Sequence, residues 1–313
     1  MQRILQPGEI EALDHIDFPR VRLPQPATLF QERAARLRQL AGRHAIADYL
    51  LFAARLVEAQ HHLASRAPHP APLEAAVAQR ASAHGMPLLP AAENLPPAWQ
   101  DTLRALLAEL QGDAAVPASL STVFTHLAAL DGAALDALAR QVLADGPGRE
   151  DLAAAPLVMA ALQVGFATRA AALPVQDVPF AEPPTICPVC GSAPVASVLR
   201  IGGAAGGHRY LHCGTCATEW HMVRVKCSHC ESTKGVRYQG LQNAQAEPAG
   251  KADTRQAVLA ETCEQCHTYR KLVNQEQDPF VDPVADDLAS LTLDLLMGDT
   301  EFSRASGNPL LAI

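Results

Sequence analysis

The sequence has few aromatic residues, no long apolar run and no cysteine outside one short region. Phe, Trp and Tyr make up only 4% of the 313 residues, so helix packing has to rest mostly on Leu and Ala. The amino terminus has neither a continuous apolar stretch nor a small-residue cleavage site, so no secretory signal is predicted. The most apolar run, 153–162, is followed by Gln163 and Arg169 and is too short to span a membrane. We therefore expect a soluble, cytoplasmic protein.

The sequence also lacks an excess of positive charge. Its formal net charge of −8 argues against general binding to a phosphate backbone, so a nucleic-acid-binding zinc ribbon is an unfavoured alternative. Apolar residues make up 49% and charged residues 19%, which is typical of a globular chain that buries a sizeable core. The length predicts about two domains.

Residues 28–173 consist of Ala- and Leu-rich segments with helical periodicity. Tyr49, Phe52, Leu56 and Leu63 recur at spacings of three, four and seven, which marks the apolar face of a helix. Gly and Pro separate this segment from similar ones. The predicted helices are 28–42, 46–63, 72–84, 97–112, 117–130, 132–144 and 155–173. We expect an all-helical bundle over 1–180, whose pairing order the sequence leaves open.

A proline-rich segment, 174–188, follows the predicted helices. Prolines at this density prevent helix and favour an extended connector. The apolar pattern then indicates strands at 195–201, 218–226 and 267–273. The Gly-rich run 202–207 predicts a hairpin tip, and a polar loop is expected over roughly 243–255.

A last helix is predicted near the carboxyl end. Asp282-Pro283 is typical of a helix start, and Gly298 lies where a C-terminal cap belongs. The apolar face of this helix is formed by Val284, Leu288, Leu291 and Leu295. We expect the segment 276–313 to pack on the helical domain or on a second subunit.

The eight cysteines form four Cys-x-x-Cys pairs. These pairs are Cys187/Cys190, Cys213/Cys216, Cys227/Cys230 and Cys263/Cys266. Two such turns supply four thiolates to one tetrahedral ion, so four pairs predict two closed metal sites, with three possible groupings. Because 22, 10 and 32 residues separate successive pairs, sequential grouping is favoured. It gives two hairpin ribbons, 187–226 and 227–275, joined by one strand.

Other uses of the cysteines are disfavoured. Structural disulfides need an oxidising compartment, for which there is no signal, and thioredoxin-like pairs come singly and precede a helix. Four thiolates suit zinc or a single iron equally, so spacing does not separate the two metals. Ten Lys or Arg and six Asp or Glu give residues 187–273 a net charge of +4, which would offset two metal–thiolate centres.

The residues around the four pairs closely resemble the FdhE family of formate dehydrogenase accessory proteins. The resemblance lies in Cys187-Pro-Val-Cys190-Gly191, Arg209-Tyr-Leu-His-Cys213, Thr218-Glu-Trp220, Arg224-x-Lys226-Cys227 and Glu261-Thr-Cys263. It covers the whole chain, with a helical first half followed by the four pairs. Gly191 follows the first pair, as in the Cys-x-x-Cys turn of a rubredoxin. The residues at the equivalent positions after the other three pairs are Ala217, Glu231 and His267, so the likeness to rubredoxin is looser at those three turns.

The resemblance implies a fold class and a function. It implies a multi-domain protein with a helical domain, tandem rubredoxin-like or zinc-ribbon modules over 184–275 and a C-terminal helix. It also implies a cytoplasmic accessory protein, not an enzyme, that assists formation of respiratory formate dehydrogenases exported in folded form. The implied partner is their catalytic subunit. The implied cofactors are two mononuclear iron ions, with zinc as the alternative, held by all eight cysteines. A homodimer is a further candidate association. An iron electron-transfer protein acting on the immature enzyme is the second interpretation.

Side chains near the cysteines are candidates for supporting contacts with the metal ligands. Five histidines lie in the cysteine region, and such contacts or surface positions suit them better than ligation, because eight thiolates already fill two sites. The candidates for supporting contacts are His212, Trp220, His221 and Arg224.

Overall fold

Within the residues that the structure describes, the first half of the chain forms seven α-helices. The computed structural model describes residues 18–42, 44–144, 151–181, 183–241 and 256–311. Each predicted helix is found, with its ends shifted by a few residues. The helices are α1 (Pro26–Ala41), α2 (Ala47–Arg66), α3 (Ala75–His84), α4 (Trp99–Gln111), α5 (Ser121–Ala129), α6 (Gly132–Ala144) and α7 (Ala155–Ala171).

Helix α7 is the centre of this helical part. It is buried on nearly every side because its sequence alternates small and branched apolar residues, such as Val158, Ala161 and Leu162. Gly165 allows the closest approach, since a Cβ atom there would lie 2.5 Å from Cβ of Pro96. The small residues therefore let α2, α4 and α6 pack directly against α7.

The second half of the chain forms a mixed sheet, to which one short strand from the start of the described residues is added at an edge. Its strands are β1 (Val21–Arg22), β2 (Pro194–Leu199), β3 (Arg209–Cys213), β4 (Glu219–His221), β5 (Val236–Gln239), β6 (Val258–Cys263), β7 (Thr268–Asn274) and β8 (Ser303–Arg304). The order is β1-β4-β3-β2-β7-β6-β5, with β8 pairing with β7. The Gly-rich run turns between antiparallel β2 and β3, as predicted. The predicted loop 243–255 lies outside the described residues.

Six strands of the sheet form two equivalent antiparallel units, β2-β3-β4 and β5-β6-β7. They join edge to edge through β2 and β7, which pair in parallel, with Ser197 opposite Leu272. The prediction of a single strand over 218–226 is wrong, because the strand found there, β4, is shorter. It ends at His221, because the backbone turns from Val223 to Lys226, where the Lys226 N–H donates to the Val223 carbonyl at 3.1 Å. The parallel pairing of β2 with β7 therefore joins the two units more directly than the linker 222–226 does, which connects β4 to Cys227.

The predicted C-terminal helix is two short helices, α8 (Ala285–Ala289) and α9 (Leu291–Gly298). The break at Ser290, whose hydroxyl donates to the Asp286 carbonyl at 2.7 Å, rotates the second helix. Two residues of the predicted apolar face, Val284 and Leu288, are buried among the helices as expected, but Leu295 of the same predicted face is 74% exposed. Leu293 and Met297 face the sheet instead. No helix within the described ranges combines the length and apolarity that a membrane crossing requires.

Candidate metal centres

The eight cysteines gather into two groups of four, in the sequential grouping that the spacing favours. The first group is Cys187, Cys190, Cys213 and Cys216, and the second is Cys227, Cys230, Cys263 and Cys266. None of the eight is in a disulfide. Metal–sulfur bonds of about 2.3 Å place tetrahedral sulfurs about 3.8 Å apart. Two sulfur–sulfur distances in each group are close to this value, 3.5 and 3.4 Å in the first and 3.8 and 3.7 Å in the second, and all four sulfurs of each group lie within 4.8 Å of one another. Both groups therefore fit a tetrahedral ion.

The four turns share one backbone geometry. In each turn the N–H of the residue after the second cysteine donates to the carbonyl of the first cysteine, at 2.8 to 3.2 Å. That residue has a positive φ in all four turns, 77° at Gly191, 58° at Ala217, 62° at Glu231 and 53° at His267. The departures from glycine noted in the sequence therefore do not change the turn, although an L-residue in this conformation is strained.

Two threonines support the sulfurs in equivalent positions. Thr218 Oγ1 lies 3.1 Å from Cys216 Sγ, and Thr268 Oγ1 lies 3.1 Å from Cys266 Sγ. Sequence analysis missed both residues. The signal was the repeated Cys-x-Thr after the second and fourth pairs. As a thiol, Cys216 donates to Thr218 Oγ1, whereas a metal-bound thiolate would accept the hydroxyl proton at both positions. A hydroxyl that donates to a thiolate stabilises its charge, so this contact favours the metal-bound form.

The structure places the four predicted supporting residues around the first group's strands. The Trp220 indole N–H donates to the Pro184 carbonyl at 2.8 Å. His221 packs against Phe18, and the exposed Arg224 donates to the Gly207 carbonyl at 3.1 Å. His212 is buried and binds Glu219. Among the described residues, none of the four makes a hydrogen bond to a cysteine sulfur.

His212 belongs to a buried ionic network that joins the helices to the sheet. Its Nδ1 lies 3.0 Å from Glu219 Oε1, and its Nε2 lies 3.4 Å from Arg33 of α1. Arg33 in turn pairs with Asp282 at 3.0 Å. Burial alone would raise the pKa of Glu219, but Arg200 and His212 outweigh it and hold the pKa well below its usual range. The carboxylate therefore remains charged and fixes these elements together.

The first group is fully enclosed. Its four cysteines are at most 2% exposed and belong to the apolar core that the helices and the sheet share. Burial raises the pKa of the Cys187 and Cys216 thiols well above their ordinary value. Four adjacent thiolates in so dry a pocket need a cation to coexist, so the donor set suits a divalent metal.

The second group lies at the surface. Cys230 is exposed and Cys266 is half-buried, while Cys227 and Cys263 are buried. None of its cysteines belongs to an apolar cluster of the described residues. Burial raises the pKa of Cys227 to about 12, whereas the contact with Thr268 lowers the pKa of Cys266 against the effect of its own burial. The two groups thus have the same ligands in different surroundings.

The fold and the site define a class of protein with a helical half packed on a double four-cysteine ribbon. Models of the FdhE family match consecutive segments of the chain: FdhE N-terminal at 18–182, FdhE central domain at 186–224 and FdhE C-terminal domain at 225–311. The chain belongs to the FdhE family.

Individual relatives agree with this assignment. A protein FdhE homolog of Edwardsiella ictaluri is 41% identical over 290 residues, which cover 92% of this chain and 90% of that protein. A homolog of Cronobacter sakazakii is 38% identical over 317 residues, covering 99% and 97% of the two chains. The crystal structure of the FdhE protein from Pseudomonas aeruginosa is similar, with a TM-score of 0.80 and 36% identity, covering 94% of this chain and 99% of that one.

Proposed function

We propose that each four-cysteine group binds one metal ion, iron or zinc, through all of its sulfurs. Two sulfur–sulfur contacts of 3.4 to 3.8 Å in each group and the enclosed position of the first group support this assignment. A bound iron ion would supply one-electron chemistry, which zinc does not. Four thiolates complete a tetrahedral shell, so neither site offers a substrate a free coordination position. The chain therefore acts by binding rather than by turnover at a metal.

The physiological role that we propose is an accessory factor for the formation of active respiratory formate dehydrogenase. Membership of the FdhE family is the observation that carries this proposal. The chain would bind the catalytic subunit in the cytoplasm, before export, through its metal-containing sheet. This role agrees with the closed metal groups, because an assembly factor needs a stable binding surface and no catalytic centre.

Deletion and capture test this role together. A strain that lacks the gene is expected to lose formate dehydrogenase activity and to regain it with the wild-type chain. Affinity-tagged chain is expected to capture the catalytic subunit from the cytoplasmic fraction but not the mature membrane enzyme. A control variant at an exposed residue of the helical half, Ser119→Ala, should behave as wild type. Unchanged activity in the deletion strain would refute the proposal.

Electron transfer to the immature enzyme is the second candidate. The observation that favours it is the exposed Cys230, because a surface sulfur brings the site close to a docked partner. Metal analysis and an absorption spectrum of the chain purified without oxygen are the test. Iron with a reversible colour change supports this function, and a colourless protein that contains zinc alone excludes it.

A further inference from the structure

The two four-cysteine groups can be compared sulfur by sulfur. In the first group Cys187 contacts Cys216 and Cys190 contacts Cys213. In the second group the same pattern joins Cys227 to Cys266 and Cys230 to Cys263. Cys190 and Cys230 are therefore equivalent, but Cys190 is 2% exposed and Cys230 is exposed. Since ligands and turns are the same, differences between the groups must come from what covers them.

Hydrogen bonds from the helical half cover the first group. The Leu89 N–H donates to the Val189 carbonyl at 2.7 Å, and the Ala91 N–H donates to the Cys190 carbonyl at 2.9 Å. On the other turn, Gln163 of α7 donates to the Gly214 carbonyl at 2.6 Å. Both turns of the first group are thus tied to the helices. Reaching these sulfurs from water requires the helices to separate from the sheet.

Among the described residues, ion pairs at the surface flank the two turns that carry the exposed sulfurs of the second group. Lys226 pairs with Glu231 at 2.5 Å, beside Cys230 in the sequence. Arg237 pairs with Glu264 at 2.5 Å next to the other turn, and both of these side chains are exposed. Exposed ion pairs of this kind contribute little to stability, so they do not prevent a small molecule from reaching Cys230.

We propose that the second four-cysteine group is an exchangeable site, at which an external thiol replaces Cys230, while the first group keeps its ion as long as the fold persists. The incoming thiol loses its proton to water and its sulfur takes the place of the Cys230 sulfur. The displaced Cys230 thiolate takes up one proton, so charge and protons balance and no electron moves. The ligand class is therefore a small thiol or the cysteine of a partner protein. This inference rests on the metal occupancy proposed above.

Metal release from the full-length chain tests the inference. The chain is loaded with zinc to two ions, and release is followed with the chelator 4-(2-pyridylazo)resorcinol at several glutathione concentrations. We expect one equivalent of zinc to leave more than about tenfold faster than the other. A tenfold ratio of release rates corresponds to a difference in activation free energy of about 1.4 kcal/mol. Glutathione should accelerate only the fast phase. Iodoacetamide added after the fast phase should label Cys230 and its group, as read by mass spectrometry.

A matched pair of variants assigns the phases. Cys230→Ser is expected to keep the wild-type circular dichroism spectrum and one slowly released ion. Cys190→Ser, at the equivalent position, should lower the thermal midpoint or fail to fold. Release of both ions at one rate, or labelling of the first group before the second, overturns the inference and leaves the proposed function intact. A loaded chain that holds fewer than two ions refutes both this inference and the proposed metal occupancy. Release in two phases, without capture of formate dehydrogenase, refutes only the proposed physiological role.

Discussion

Arg209 offers the sharpest test of how the two ribbon units are joined. It is fully buried on β3 and reaches across two intervening strands to Glu261 of β6, at 2.5 Å. The same guanidinium donates to the carbonyls of Val223 and Lys226, at 3.0 and 2.7 Å, and so fixes the linker that leads to Cys227. One side chain therefore connects the first unit, the linker and the second unit.

Replacing Arg209 with Met should destabilise the protein strongly. The change leaves the buried Glu261 carboxylate without its main partner, for which a loss of about 3–5 kcal/mol is typical. Glu261→Leu should also be destabilising, because it leaves the guanidinium unpaired. The double variant removes both charges, so its loss should fall short of the sum of the two single losses by about 1–3 kcal/mol.

Urea unfolding of the metal-loaded chain, followed by circular dichroism, measures these free energies. Arg209→Lys is the control, since it keeps the charge but loses the fork that serves several acceptors, and should lie between wild type and Arg209→Met. A loss within about 0.5 kcal/mol of zero for Arg209→Met, as at an ordinary surface site, would refute the reasoning. Additive losses in the double variant would contradict the proposed direct pairing.

Three further outcomes follow from the site and the core. Thr218→Val and Thr268→Val should each lower metal affinity about 10–100-fold in chelator competition, with no change if the hydroxyls do not serve the sulfurs. Gly191 has a φ of 77°, and a Cβ added there would lie 3.1 Å from Pro87 Cγ. Gly191→Ala should therefore lower the free energy of unfolding in urea by about 1–2 kcal/mol, whereas Ala217→Gly at the equivalent turn should not destabilise the protein. Burial raises the pKa of Tyr49 to about 12. The free energy of unfolding that wild type gains over Tyr49→Phe should therefore be complete below pH 10 and should be lost as the pH rises towards 12. Urea midpoints of the two proteins that stay parallel across this range would contradict it.

The helices and the cysteine grouping could be predicted because both depend on local sequence. Apolar residues repeat with helical spacing between Gly and Pro breaks, and a two-residue gap places both sulfurs of a turn together. The separations of 22 and 32 residues within the ribbons leave room for a hairpin, whereas the 10 residues between the second and third pairs suit one connecting segment. These lengths favoured the sequential grouping, which the structure contains.

The missed strands and the unequal burial depend on distant contacts. All five residues of β3 are buried, including Arg209, so the strand shows no alternation of apolar and polar residues. The pairing of β2 with β7 joins residues far apart in the sequence, and no local pattern indicates it. Cys190 and Cys230 occur in similar turns, and only the packing of the helices on one ribbon makes their exposure differ.

The position of β2 in the middle of the sheet has a consequence for synthesis on the ribosome. Its neighbour β7 is encoded about 70 positions later, so the nascent chain carries β2 with one edge unpaired until β7 emerges. At translation rates of about 5–20 residues per second this interval lasts roughly 4–14 s. An unpaired edge presents free backbone N–H and C=O groups and is a template for aggregation, so the growing polypeptide depends on chaperones or on rapid burial of that edge during this time.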